Sequence, residues 1–143
     1  MEFKYNDGGR SKYFKAENVG DCVVRAITIA MKGDYKETYE AINKLAKEEK
    51  ISSKKQSISS ARNGVYKETY KKYLESKGWE WVSCMGIGTG CKVHLNEYEL
   101  PNGRIICKLS HHLTCVIDGV LNDTYDCSRE GTRCVYGFWR KRK

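Results

Sequence analysis

The pattern of apolar residues changes at Gly78. Before this residue, apolar side chains recur every three or four positions, as they do along one face of a helix. After it, short runs of β-branched and aromatic residues alternate with turn residues, which is typical of antiparallel strands. The chain is therefore predicted to have an α+β fold, with N-terminal helices packed against one side of a C-terminal antiparallel β-sheet.

Three helices are expected in the first half of the chain. The first begins near Cys22, with Asp21 at the N-cap position, and ends at Gly33. The second covers about 34–49, where an acidic start resembling a capping box precedes an apolar stripe. The third carries a tyrosine-rich stripe within 66–78 and is closed by a glycine.

The second half is expected to supply the strands. The runs that predict them are 79–84, 104–109, 113–117, 120–125 and 134–139. The Asp118-Gly119 pair between two of these runs is a strong signal for a two-residue hairpin turn. Segment 5–21 is glycine-rich and predicts an ordered loop, while segment 50–63 predicts a mobile loop or a frayed helix end.

The length of 143 residues fits one compact domain. Its predicted parts are a helical half at about 1–78, a sheet half at about 79–139 and a basic tail at 140–143. The net charge of +8 favours weak, non-specific attraction to acidic partners, nucleic acid included. Because the lysines and arginines are scattered, a solvated basic surface is the favoured interpretation.

The sequence shows none of the apolar runs that are typical of secretory signals and membrane spans. The first fourteen residues are polar, and the longest apolar stretch, 23–31, is interrupted by Arg25. A cytoplasmic protein without membrane contact is expected. The seven cysteines show no pairing pattern, so they are expected to remain reduced, most of them as small buried side chains.

Cys22 has a setting that differs from that of the other cysteines. It opens a predicted helix directly after a Gly-Asp turn. The helix dipole and the free backbone N–H groups at that position stabilise a thiolate and could also hold an oxyanion. A buried cysteine without chemistry is the equally weighted alternative from position alone.

His112 and Asp123 favour the chemical interpretation. A hairpin turning at 118–119 pairs residue 117 with 120, so His112 and Asp123 lie diagonally on one face of two neighbouring strands. The carboxylate can then orient the imidazole, which serves as base for the thiol of Cys22. The three side chains are the predicted catalytic residues.

A slip of one residue in the hairpin would bring forward a different set. His111 would then lie with Asn122 and Asp126 on the opposite face. His112 is favoured over His111, and Asn122 remains an alternative orienting group.

The stretch GDCVVRAI at 20–27 resembles the nucleophile motif of ovarian-tumour-type deubiquitinases, in which a Gly-Asn-Cys or Gly-Asp-Cys turn leads into a helix with an Arg-Ala pair. Nearly the whole chain, including NDGGR at 6–10, is similar to a family of small phage and prophage proteins with papain-like features. Papain-like peptidases usually place a glutamine before the cysteine, whereas the nearest amide here is Asn18. The His-aromatic signature of the deubiquitinases is replaced by His112-Leu113.

The resemblance implies a papain-like cysteine protease fold, in which a nucleophile helix packs on a sheet that presents the other catalytic residues. By position, Cys22 would be the nucleophile, His112 the general base, and Asp123 or Asn122 the orienting group. The expected function is a thiol hydrolase, a cysteine peptidase or isopeptidase that needs no cofactor or metal. Its substrate would be a protein or peptide, such as a host protein if the chain is phage-encoded.

Three other interpretations compete. A zinc site would have to use Cys91-x-x-His94 and Cys84, without the paired Cys-x-x-Cys ligands typical of structural zinc. A catalytically silent papain-like scaffold would bind a host protein or nucleic acid. Nucleic acid would contact the lysines and tyrosines that are interleaved at 66–73. Because these tyrosines recur at helical spacing, they are better explained as core residues. Acyl transfer other than proteolysis would use the same three residues.

Overall fold

The computed structural model describes residues 1–15, 19–55, 57–86 and 88–143. These residues form three α-helices, one short 3-10 helix and a six-stranded mixed sheet, which confirms the predicted α+β class. In chain order the elements are β1 (Glu2–Tyr5), the 3-10 helix (Arg10–Lys12), α1 (Cys22–Met31), α2 (Tyr35–Ala46), α3 (Lys67–Ser76), β2 (Trp79–Ser83), β3 (Arg104–Leu109), β4 (His112–Ile117), β5 (Val120–Asp123) and β6 (Gly137–Lys141).

The strand order in the sheet is β1-β5-β4-β3-β6-β2. β1 runs parallel to β5, and the other neighbouring strands are antiparallel. β1 was not predicted: Glu2-Phe3-Lys4-Tyr5 does alternate polar and aromatic residues, but the run is only four residues long and all its side chains are exposed. The predicted basic tail is also shorter than expected, since Arg140 and Lys141 belong to β6 and pair with Glu80 and Trp79 of β2.

The three predicted helices are present. α1 begins at Cys22, and residues 23–30 are all buried because they lie between the sheet and the other helices. α2 begins after Asp34, whose carboxylate accepts a hydrogen bond from the Glu37 N–H at 3.1 Å, as the capping-box pattern predicts. None of the described helices combines the length and the apolarity that crossing a bilayer requires.

Apolar cores lie on both faces of the sheet. On one face, Ile27 of α1 and Leu74 of α3 pack with Ile106 and Trp139 of the sheet. On the other, Leu95, Leu100, Cys127 and Val135 from the connecting segments cover β3, β4 and β5. The helices therefore lie on one side of the sheet, as predicted, and loops close the other.

The segment after α2 is organised around Glu49. The carboxylate of Glu49 accepts a hydrogen bond from the Ser59 N–H at 2.7 Å, contacts the Lys55 ammonium at 3.0 Å, and also accepts a hydrogen bond from Thr69. Burial alone would raise the pKa of Glu49, but these hydrogen bonds lower it to about 2. The described part of 50–63 contains no helix, so the predicted frayed helix end is not present there.

The cysteines differ from the prediction in two respects. Cys91 and Cys134 form a disulfide, although all thiols were expected to be reduced. Backbone hydrogen bonds between 93–95 and 133–135 place the two residues side by side, a contact across 43 residues that their spacing does not reveal. The free cysteines are Cys22, Cys84, Cys107, Cys115 and Cys127. The last three are buried and the other four cysteines are not, so the prediction that most of the seven are buried is wrong.

Candidate active site

Cys22 is the first residue of α1, and its side chain is half-buried. The turn before it depends on Gly20, because a Cβ atom there would lie 2.8 Å from the carbonyl oxygen of Asn63. Only glycine allows the 60–64 loop to approach the start of the helix this closely. The thiol therefore lies at a helix N-terminus, as predicted, and is not sealed in the core.

The β4–β5 hairpin has the predicted register. Ile117 pairs with Val120, and both turn residues, Asp118 and Gly119, have positive φ angles of 47° and 80°, as a two-residue turn of this type requires. Nε2 of His112 lies 2.7 Å from Oδ2 of Asp123. The diagonal contact expected from the sequence is therefore present.

The structure brings the thiol of Cys22 to the imidazole of His112. Burial alone would raise the pKa of Cys22, but hydrogen bonding with His112 and the charge of its ring outweigh this effect, so the thiol pKa is lowered. Because Nε2 is occupied by Asp123, Nδ1 is the ring nitrogen left for the sulfur. Burial alone would lower the pKa of His112, but hydrogen bonds with Asp123, Cys127 and Cys22 raise it.

The end of the sheet supplies a further contact to the sulfur. The β4–β5 ladder ends at the Cys115–Asn122 pair, so the first residues of β4 extend beyond their neighbour. The backbone N–H of Leu113 hydrogen-bonds with Cys22 and also lowers its pKa. Further along β4, sheet pairing would occupy such an N–H group. At Leu113 the group is free to stabilise the thiolate.

Asp123 is buried, and several hydrogen-bond donors surround its carboxylate. Besides His112, it accepts hydrogen bonds from the Thr114 hydroxyl and the Thr124 N–H at 2.7 Å each, and from Nη2 of Arg25 at 3.3 Å. Burial alone would raise the pKa of Asp123, but these contacts, with His112 and Thr114 foremost, lower it. The carboxylate is therefore held ionised beside the imidazole.

Thr114 and Arg25 were missed by the sequence reasoning. Thr114 shares a strand face with His112, so period-two alternation could have identified it. Arg25 is a lone charged residue in an otherwise apolar helix and is 6% exposed, which is unusual unless the charge is paired. That combination was the available signal for a buried ionic network.

Asp21 does not cap α1 with its side chain, contrary to prediction. Its carboxylate instead accepts hydrogen bonds from Arg25, from Nη1 of Arg10 at 3.0 Å and from the Tyr35 hydroxyl at 2.7 Å. Arg25 thus bridges Asp21 and Asp123. Because Asp21 leaves the N–H groups of the first turn of α1 uncapped, these groups are the candidates for holding an oxyanion.

The alternative site residues lie elsewhere. His111 occupies the turn between β3 and β4 with a φ of 54°, and its side chain is exposed. Asn122 accepts a hydrogen bond from Nδ2 of Asn6 at 3.2 Å and donates to the Val120 carbonyl, whereas Asp126 accepts from Ser128. These contacts do not form the alternative set expected from a register slip. Asn18, the predicted oxyanion amide, lies outside the described residues.

One group of side chains has metal-ligand chemistry. Donor atoms of His112, Asp123 and Cys127, all buried, lie within 4.8 Å of one another. They are already hydrogen-bonded together, and the Arg25 guanidinium on Asp123 would repel a cation. The zinc ligands considered from the sequence are committed differently: Cys91 is in the disulfide, and Nδ1 of His94 contacts Glu99 at 3.1 Å.

The tyrosines of α3 belong mainly to the core. Tyr70 and Tyr73 are buried against the helix side of the sheet, whereas Tyr66 is 43% exposed with the Lys55 ammonium over its ring. Buried rings cannot stack on bases. The favoured explanation of these tyrosines as core residues is therefore confirmed for Tyr70 and Tyr73.

Comparison with protein-family models, with curated proteins and with solved structures returned no match for this chain.

Proposed function

We propose that this protein is a papain-like thiol hydrolase that cleaves an amide or isopeptide bond in a protein or peptide. Cys22 is the nucleophile, His112 the general base and acid, and Asp123 the group that orients the imidazole. The observation that carries the proposal is the continuous contact from the Cys22 thiol through His112 to Asp123.

The electrostatics favour a thiolate–imidazolium pair. The pKa of Cys22 is lowered while that of His112 is raised, so the proton favours the ring over the sulfur. The negative charge of Asp123, held by several hydrogen-bond donors, stabilises the protonated ring from the other side. A thiolate near neutral pH is what nucleophilic attack on a carbonyl requires.

The reaction follows from these positions. The Cys22 thiolate attacks the carbonyl carbon, and the N–H groups at the start of α1 stabilise the resulting oxyanion. His112 then gives its proton to the departing amine, which leaves a thioester on Cys22. His112 next takes a proton from a water molecule that attacks the thioester, releasing the acid and restoring the thiolate and the imidazolium.

The architecture supports this assignment. A helix that begins with the cysteine packs on the mixed sheet, whose neighbouring antiparallel strands β4 and β5 present His112 and Asp123; the resemblance implies such an arrangement for a papain-like fold. Amidases and acyl transferases use the same chemistry, so the substrate is set by the surrounding surface rather than by these three residues. Action in a cytoplasm, on a host protein if the chain is phage-encoded, remains part of the proposal.

Alkylation across a pH series tests the proposal. The folded protein is treated with iodoacetamide between pH 5 and pH 9, and modification of each cysteine is followed by peptide mass spectrometry. Cys22 should react rapidly well below the ordinary thiol pKa of about 8.5. Cys107, whose thiol pKa is raised well above its usual value by complete burial, is the internal control and should remain unmodified.

Turnover is then measured with a diverse peptide mixture, scored by mass spectrometry for new termini. Cleavage by the wild type that is lost in Cys22→Ala supports a peptidase. If Cys22 reacts no faster than a free thiol of ordinary pKa and no new termini arise, the hydrolase proposal is wrong and a catalytically silent binding scaffold is the better explanation.

A further inference from the structure

Lys108 lies near the nucleophile, and two further positively charged side chains lie near Lys108. We call Lys67, Lys108 and Arg133 the cationic subsite. Within the described part of the chain, none of the three forms an ion pair with a carboxylate. Lys67 is exposed, but Lys108 and Arg133 are partly buried, and charged side chains that lose solvent are usually paired.

Lys108 is the central member of the cationic subsite. On β3 it lies directly opposite Leu113 of β4, the residue whose N–H contacts the sulfur of Cys22, and opposite Gly137 of β6. The side chain of Lys108 is half-buried. Its ammonium therefore lies at the end of the sheet where the thiol is placed.

On the neighbouring strand β6, the absence of a side chain at Gly137 leaves space for the indole ring of Trp81. Any side chain at position 137 would collide with the indole ring of Trp81, so Gly137 is required by close packing. The ammonium of Lys67 lies over the same ring, 5.6 Å from its centroid. Lys67 is thus held by a cation–π contact and not by an ion pair, although Glu75 and Glu80 line the same pocket.

Arg133 is held by backbone carbonyls. Its Nη2 donates to the Ser110 carbonyl at 2.8 Å and its Nη1 to the Cys127 carbonyl at 3.4 Å, while Nε is buried without a partner. These contacts position the guanidinium but do not neutralise it. A positive charge remains behind the β3–β4 turn.

The three charges affect one another. Burial lowers the pKa of Lys108, the charge of Cys22 raises it, and Lys67 and Arg133 lower it further. The thiolate of Cys22 is thus an anion that offsets the charge of Lys108 in the free protein, and its charge leaves the sulfur when the nucleophile attacks. A second anion beside the reacting carbonyl would restore the balance.

We infer that the cationic subsite binds an anionic group of the substrate, so that the enzyme prefers acidic peptides with an aspartate or glutamate next to the bond that is cleaved. This inference rests on the proposed function, because it assumes that Cys22 reacts with the substrate. Its class of ligand follows from three unpaired cations, an aromatic ring and a nucleophile at one end of the sheet.

Two alkylating reagents of nearly equal size measure the local charge directly. Iodoacetate carries a carboxylate and iodoacetamide is neutral, so the ratio of their rates at Cys22 reports the potential at the sulfur. A change in thiol pKa alters both rates alike and cancels in the ratio. Lys108→Gln should lower the ratio of the iodoacetate rate to the iodoacetamide rate by about threefold to fivefold, since one nearby unit positive charge is removed. Lys72→Gln, an exposed site on α3, is the matched control and should leave the ratio unchanged.

The outcomes separate the two proposals. Failure of Cys22 to react with either reagent at neutral pH contradicts the hydrolase itself. Rapid reaction with an unchanged ratio in Lys108→Gln contradicts only the acidic-substrate inference. Should Lys108→Gln fail to fold, Lys67→Gln at the exposed edge provides a second variant. In the wild type, raising the salt concentration should also lower the ratio of the iodoacetate rate to the iodoacetamide rate. An unchanged ratio in both of these measurements also overturns the inference.

Discussion

Cys22 and Cys115 carry the same thiol against the same sheet, but their surroundings give it opposite properties. Cys115 is completely buried in the middle of β4, and burial raises its thiol pKa to about 12. Cys22 is half-buried at the end of that strand, and contacts with His112 and Leu113 lower its thiol pKa despite burial. Loss of solvent alone makes a thiol inert; a charged partner that is itself held in place makes it a nucleophile.

The difference comes from where each thiol meets β4. In the middle of the strand, pairing of Cys115 with Asn122 on one side and Ile106 on the other takes up the backbone groups. At the beginning of the strand, the neighbouring β5 has already ended, so a backbone donor and the His112 ring are free to face α1. The end of the sheet therefore carries the reactive groups, and its centre carries the packing.

Replacing the imidazole should break this contrast most strongly. In His112→Asn, the group that stabilises the thiolate is lost, so alkylation of Cys22 at pH 6 should fall by roughly a hundredfold, towards the rate of an ordinary thiol. His111→Asn is the matched control, because asparagine tolerates the positive φ at this exposed turn position. Equal rates in both variants would show that the ring of His112 does not activate the sulfur.

Exchanging sulfur for oxygen at the two positions tests the packing side of the contrast. Cys115→Ser buries a hydroxyl where no polar partner is arranged, so the free energy of unfolding should fall by about 2 kcal/mol. Cys22→Ser, at a half-buried position, should change it by less than about 0.5 kcal/mol while removing all reaction at that site. Urea denaturation of both variants gives the comparison, and equal losses of stability would contradict it.

The smallest effect concerns the pH dependence of stability. Asp123 has a folded-state pKa below its ordinary 3.8, so its ionised form stabilises the fold above that pH and the stabilisation is lost as the pH falls through the lowered pKa. The difference in unfolding free energy between the wild type and Asp123→Asn should therefore shrink by about 1 kcal/mol from pH 6 to pH 3.

Cys115→Ala supplies the reference for that measurement. Cys115 remains protonated at both pH values, so its difference from the wild type should be the same at pH 6 and pH 3. If Asp123→Asn behaves like Cys115→Ala, Asp123 does not titrate with a lowered pKa and is not held ionised beside His112.

Local patterns predicted much of the fold and part of the site. The helix starts at Cys22 and Asp34 follow from turn and capping residues, whose effects extend over only a few positions. β1 was missed although Glu2-Phe3-Lys4-Tyr5 alternates polar and aromatic residues, because so short a run does not reveal a parallel pairing with a strand at the far end of the chain. The Cys91–Cys134 bond likewise depends on two distant segments lying side by side.

By itself, the amino-acid sequence determined the contact between His112 and Asp123, since a two-residue turn and the period of a strand dictate which side chains meet eleven positions apart. Only the tertiary structure decided that Cys22, ninety positions earlier, would face that ring, and that Arg25 would join Asp21 to Asp123. Backbone geometry governs the first contact, whereas the others depend on how α1 packs across β4, which is the combined result of many apolar contacts spread over the whole chain.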